Sequence, residues 1–274
     1  MAASPRPRAI VTGASRGIGK ATAIALAGAG YDLAITARTV HRSDQATEPT
    51  GNAVEPLPGS LEETAEAVEQ AGGACNLIRL DLGDPDRLLP AAEEALHALG
   101  GADLLVNNAI WTGPGNYERF LDTAPQLTAQ RIFGNITAQL MFSYPVVKTM
   151  VEAGGGLVLN MTSGAAYAEP FAQPGQGGWG LGYTVSKGGF HRMAIQLAFE
   201  YGADGLIALN VQPGFVATER VKMVGGPVSN IAARGVEPAV IGAAIASVAA
   251  DPRRFDNGSC IRLQDVARSI GLLG

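Results

Sequence analysis

Tyr183 and Lys187 stand four residues apart in the stretch YTVSK, at the start of a segment with helical patterning. On a helix that spacing puts phenol and ammonium on one face, where the cation favours the phenolate. A phenol so placed is a general acid when protonated and a general base when ionised. Lowering its pKa from about 10 by three units requires roughly 4 kcal/mol of differential stabilisation. Tyrosine and lysine at this spacing are common on exposed helices, so the pair needs support from elsewhere. A second stretch, TGASRGIG at 12–19, places three glycines directly after the apolar run Ala9 to Val11. Amides at a helix N-terminus hold a phosphate when glycines let it approach, Gly13 by permitting the turn, Gly17 and Gly19 by leaving room. The spacing departs from the GxGxxG fingerprint, and taken alone the stretch also reads as a packing turn.

Such residues need elements that deliver them to one edge. Short apolar runs bounded by turn residues recur at 8–12, 32–36, 75–80, 102–107, 156–161, 206–211 and 259–263. Their near-continuous hydrophobicity predicts parallel strands covered on both faces. Helical patterns at 17–30, 60–72, 85–99, 125–153, 182–203 and 237–250 alternate with them. The alternation predicts an α/β fold, a doubly wound parallel sheet of about seven strands flanked by helices. With 274 residues, 47% of them apolar, and no linker between folded halves, the expectation is a single domain over 1–274. Two stretches break the rhythm. Residues 39–59 form a polar, proline-rich insertion beside the end of the second strand, and 168–182 mix glycine and proline with Phe171 and Trp179.

Taken in order, the chain carries TGxxxGxG after the first strand, NNA at 107–109, Asn135 inside a helix, Ser163 ending the fifth strand, YxxxK at 183–187 and PGFVAT at 213–218. In this set the sequence resembles the short-chain dehydrogenase/reductase family, from about residue 8 to the C-terminus. The resemblance implies a Rossmann-like fold and hydride transfer between a nicotinamide cofactor and a carbonyl or secondary alcohol. It implies Tyr183 as proton donor or acceptor, Lys187 as the group that lowers the tyrosine pKa and holds the nicotinamide ribose, and Ser163 as the hydroxyl orienting the substrate oxygen. Asn135 matches the residue that positions a water linking Lys187 to solvent. The glycine loop, with Gly13, Ser15, Arg16, Gly17, Ile18 and Gly19, matches the pyrophosphate site. Asp81 and Leu82 match adenine contacts, Asn108 and Ala109 the adenosine ribose side, and Pro213, Val216 and Thr218 the carboxamide contacts. The chain departs from the family in having Ile110 and Trp111 where glycine commonly follows NNA, and in a longer stretch between Ser163 and Tyr183.

Charge bears on the cofactor. The second strand ends ITAR, with Arg38 where an NAD-selective site places a carboxylate, and Arg16 adds a second guanidinium nearby. Two arginines converging on one place favour a 2′-phosphate, hence NADP(H), with NAD(H) as the alternative. The rival to an enzyme is a nucleotide-binding regulatory or scaffolding protein of the same fold, which would not require Asn135, Ser163, Tyr183 and Lys187 together. An enoyl reductase fits less well, because related enzymes space tyrosine and lysine more widely.

The net charge of −5 leaves no basic stripe, so no nucleic-acid partner is expected. Two distant cysteines, Cys75 and Cys260, read as small buried hydrophobes in strands, with no bridge and no metal site. No apolar run reaches bilayer length and the N-terminus lacks a signal-peptide core, so a cytoplasmic protein without membrane attachment is expected. Trp111, Tyr167, Phe171, Trp179 and a mobile segment at 219–236 suggest an apolar small-molecule pocket with a lid. The apolar content of 125–153 and 182–203 points to a homo-oligomer, tetramer or dimer.

Overall fold

The structure, a computed structural model, describes residues 6–44, 46–50, 53–224 and 234–274. The strands are β1 (Arg8–Thr12), β2 (Asp32–Ala37), β3 (Ala46–Thr50), β4 (Ala53–Leu57), β5 (Cys75–Arg79), β6 (Leu104–Asn107), β7 (Gly156–Met161), β8 (Leu206–Gln212) and β9 (Cys260–Arg262). The helices are α1 (Gly17–Gly28), α2 (Leu61–Gln70), α3 (Pro85–Leu99), α4 (Pro125–Ile132), α5 (Ala138–Glu152), α6 (Leu181–Tyr201), α7 (Glu219–Val224), α8 (Pro238–Ala250) and α9 (Leu263–Ser269). Seven strands form one parallel sheet in the order β5-β2-β1-β6-β7-β8-β9. The chain runs outward from β1 to β5, then returns to β6 on the other side of β1. That reversal opens a crevice at the carboxyl ends of β1 and β6, where doubly wound sheets bind ligands.

The apolar runs form strands because both faces are covered. Val11, Leu33, Leu104 and Leu159 bury one face beneath α1, α8 and α9; Ile10, Leu105 and Val158 bury the other beneath α3, α5 and α6. Each such side chain, fully buried, contributes about 1.5–3 kcal/mol against exposure. Helix ends follow local chemistry. The Ser60 hydroxyl accepts the Glu63 N–H to start α2, and the Asp84 carboxylate accepts the Asp86 N–H to start α3, with Pro85 next.

Three differences from the sequence reading have physical causes. The helix expected over 125–153 is divided into α4 and α5 by a π-helical turn at Phe133–Thr137, which contains Asn135. The insertion at 39–59 contains an antiparallel hairpin, β3 with β4, which joins no other strand. Cys260 is exposed rather than buried, because β9 ends the sheet and turns only Ile261 inward, while Cys75 is half-buried in β5. The proposed lid at 219–236 includes α7 and residues 234–236, and its centre lies outside the described residues.

Candidate active site

Thr12 ends β1 and sets the loop that follows. Its hydroxyl donates to Val106 O at 3.3 Å and accepts the N–H groups of Asn108 and Ala109, both at 3.0 Å. The Asn108 amide in turn donates to Thr12 O at 2.9 Å and Gly13 O at 3.2 Å. Asn108 thus holds the glycine loop against β6. Gly13 is required twice over: its φ is +69°, and a Cβ there would meet the Ala109 Cα at 2.8 Å. A Cβ on Gly19 would collide with Gly13 O. α1 has no side-chain cap, so the amides of its first turn, at residues lining the crevice, remain for a ligand.

This crevice brings together Gly13, Ser15, Arg16, Gly17, Ile18 and Gly19 with Arg38, Asp81 and Leu82 opposite, and Asn108, Ala109 and Thr218 alongside. The arrangement fits a dinucleotide: a side-chain-free cradle under a helix N-terminus, with a guanidinium at the far end. The two arginines differ in what they do. Arg38 is exposed, and its carbonyl accepts from Arg79. The Arg16 guanidinium donates to Pro58 O and Gly59 O, each at 2.7 Å, and to the Thr39 hydroxyl at 3.3 Å. Arg16 therefore ties the end of the insertion to the glycine loop. Trp111 lines this crevice and packs over Gly134, whose Cβ would lie 2.5 Å from the Trp111 Cβ.

A second cavity adjoins the first through Ile18, Asn108, Ile110 and Thr218, which line both. Ser163, Tyr183, Lys187, Pro213 and Val216 line it, with Phe171, Trp179 and Phe215 as aromatic wall. Among the described residues Lys187 is the only cationic one there and Glu169 the only carboxylate. Tyr183 and Lys187 are buried on the first turns of α6. Burial pushes the Tyr183 phenol above the ordinary tyrosine range, opposed by the Ser163 hydroxyl and by the positive charge of Arg131. The Lys187 ammonium donates to Met161 O at 2.8 Å, and desolvation lowers its pKa to about 8. Arg131 thus adds a positive charge that favours the phenolate from α4, a contribution that the spacing of YxxxK does not reveal. Asn135 is buried in the π-turn, accepting the Trp111 N–H at 2.7 Å and donating to the Ser186 hydroxyl at 3.2 Å. It joins the segment after β6 to the helix that carries Tyr183.

Sequence reasoning passed over a buried ladder. Asn107, Asn160 and Asn210 stand opposite one another on β6, β7 and β8. Asn107 donates to Asn160 at 3.0 Å and to the Ser143 hydroxyl of α5 at 2.9 Å, Asn160 donates to Phe190 O at 3.4 Å, and Asn210 to His191 O at 3.0 Å. These bonds fix α5 and α6 relative to the strand ends. The signal was present as one asparagine late in each of LLVN, GLVLNM and LIALNVQ.

Among the described residues there is no cluster able to hold a metal ion, and no helix is long and apolar enough to cross a membrane. The chain matches the short chain dehydrogenase family model over residues 7–58 and 52–226. It is 28% identical over 217 residues to the 7alpha-hydroxysteroid dehydrogenase of Escherichia coli (strain K12), covering 79% of this chain and 73% of that protein. It is 28% identical over 260 residues to the acetoacetyl-CoA reductase of Rhizobium meliloti (strain 1021), covering 92% and 95%. Among solved structures, the 3-oxoacyl-[acyl-carrier protein] reductase of Brucella melitensis in complex with NAD superposes with a TM-score of 0.75 at 26% identity, covering 97% of this chain and 99% of that one.

Proposed function

This chain belongs to the short chain dehydrogenase family, an oxidoreductase family that uses NAD(H) or NADP(H), and from that premise we propose that it interconverts a carbonyl and a secondary alcohol with Tyr183 as general acid and base. One observation carries the reading: a buried tyrosine lines, with Ser163 and Lys187, a cavity continuous with a glycine-lined dinucleotide crevice. The nicotinamide, when bound, supplies or accepts the hydride. Tyr183 gives its proton to the carbonyl oxygen in reduction and takes one from the hydroxyl in oxidation. Ser163 holds that oxygen and stabilises its developing charge. Lys187 stands ready to carry the proton onward and to hold the ribose, because a lysine poised near 8 exchanges protons readily around neutrality.

The crevice walls favour NADP(H), Arg38 being the guanidinium presented at the adenosine end. The substrate in this reading is an apolar small molecule, since aromatic side chains and, among the described residues, a single carboxylate line the second cavity. Exposed apolar side chains on α5 and α6, Leu140, Tyr144 and Phe199 among them, support a homo-oligomer. A panel of ketones, sterols and acyl thioesters followed by NADPH absorbance tests the activity. Tyr183→Phe is expected to lower kcat by about 10²–10⁴-fold while NADPH still binds, because the hydroxyl acts in the transition state. A variant with most of the wild-type turnover would refute the role.

A further inference from the structure

Arg131 has no exposed surface, although it sits on α4 outside the four residues with proposed roles in catalysis. Burying a guanidinium is costly unless its donors are met; here three main-chain carbonyls and the Asn116 side-chain oxygen take its two terminal nitrogens, while among the described residues the Nε has no hydrogen-bond partner. It donates to Asn116 Oδ1 and Pro114 O at 2.6 Å each, to Gly113 O, and more weakly to Trp111 O at 3.5 Å. Its charge lies 5.1 Å from the centre of the Trp111 ring. Among the described residues no carboxylate is hydrogen-bonded to it; Glu118 acts on it only at a distance. One arginine thus gathers the whole turn from Trp111 to Asn116.

That turn bears directly on Tyr183. The Asn116 carbonyl accepts the Gly180 N–H at 2.7 Å, and Gly180 is the residue from which α6 starts. A Cβ on Gly180 would meet Glu118 O at 2.5 Å and Gly115 O at 3.2 Å, and one on Gly182 would touch the Arg131 Cδ at 3.4 Å. The fit between turn and helix start is close on both sides. Trp179 is stacked between Tyr117 of this segment, at 5.1 Å, and Tyr183, at 4.4 Å.

We propose that Arg131 is a positioning residue: its buried guanidinium clamps residues 111–116, and through them sets the start of α6 and holds Trp179 over Tyr183. The inference rests on the reading of Tyr183 as the proton-transfer residue only for its functional meaning; the clamp is a claim about structure and stands or falls separately. It gives a reason for a charged side chain where an apolar one would be cheaper to bury. A forked donor reaches several carbonyls of an irregular turn at once, which neither a lysine nor a leucine does.

The chain has two tryptophans, Trp111 and Trp179, so in the full-length Trp111→Phe protein only Trp179 emits. In that background Arg131→Met is expected to shift the emission to the red and raise acrylamide quenching about two- to five-fold, while the far-ultraviolet circular dichroism of the folded protein is retained. Asn116→Leu, which removes one acceptor and leaves the arginine, is expected to act in the same direction by a smaller amount. It also decides the matter if Arg131→Met does not fold. Trp179 as protected in Asn116→Leu as in its parent, or in a folded Arg131→Met, would overturn the proposal. A Tyr183→Phe enzyme that keeps its turnover would defeat the proposed chemistry without touching this result.

Discussion

Trp179 lies on Tyr183 with ring centroids 4.4 Å apart and planes inclined by 23°. The indole covers one face of the phenol, whose cavity Ser163 also lines. A substrate that brings its oxygen to the Tyr183 hydroxyl therefore enters beside an aromatic wall already in place, made of Trp179 with Phe171 and Phe215.

From this contact Trp179→Ala is expected to discriminate among substrates. Stacked aromatic contacts are worth about 0.5–1.5 kcal/mol beyond area, so KM for ring-bearing ketones should rise about 2–10-fold. KM for small acyclic ketones should change less. Equal effects on both classes in steady-state assays would remove Trp179 from the substrate wall.

Cofactor selectivity follows from how differently the two arginines are placed. Arg38→Asp is expected to weaken NADPH and spare NADH, narrowing or inverting the preference in a fluorescence titration. Arg16→Ala is expected to lower stability by about 1.5–3 kcal/mol through lost charge-assisted bonds to Pro58 O and Gly59 O, read from urea unfolding. Arg38→Asp without any change in the ratio of the two affinities would count against a 2′-phosphate at this end of the crevice.

The contrast between those arginines shows what the sequence makes legible. Strand positions were readable because Ala9, Val11, Leu105 and Val158 belong to runs that only a two-sided core makes continuous. Tyr183, Lys187 and the glycine loop could be singled out from spacing and Ser163 from the order of the motifs, and all of them line the two adjoining cavities. Partners distant in sequence were not readable. Nothing in TGASRGIG says that Arg16 turns to Pro58, 42 residues away. Arg131, on a helix, resembles any solvated arginine until the turn at 111–116 is folded around it. The positive charge of Arg131 reaches the phenol from α4, a contribution of tertiary packing that an i, i+4 spacing does not contain.

Lys187 makes stability depend on pH in a stated direction. Burial holds its pKa at about 8, against 10.5 when unfolded. Between those values the unfolded chain binds a proton that the folded chain lacks, so stability rises with pH across that window and carries the full cost of the buried charge below it. Lys187→Met removes this dependence. Its stability relative to wild type is expected to be higher at about pH 7 than at about pH 10, with other groups cancelling in the comparison. A urea-midpoint difference that stays constant across the window would show that Lys187 titrates normally.

The insertion is tied to the glycine loop at its base and touches α7 at its other end. At its base the Arg16 guanidinium holds Pro58 O and Gly59 O, and a Cβ on Gly59 would lie 2.5 Å from Ser15 O in the glycine loop. At its other end β3 packs against α7, whose first residues Glu219 and Arg220 line the same crevice. We expect a hairpin tied to the glycine loop and in contact with α7 to cover part of the crevice, so that a bound dinucleotide waits for it to move. Replacing residues 45–56 by a short Gly/Ser link leaves the Arg16 anchor intact and removes only the hairpin. Stopped-flow measurement is expected to show NADPH leaving about ten-fold faster, with the hydride-transfer rate in single turnover preserved. An unchanged off-rate would make the hairpin a surface addition, and a loss of both rates together would mean that it supports the glycine loop instead of covering it.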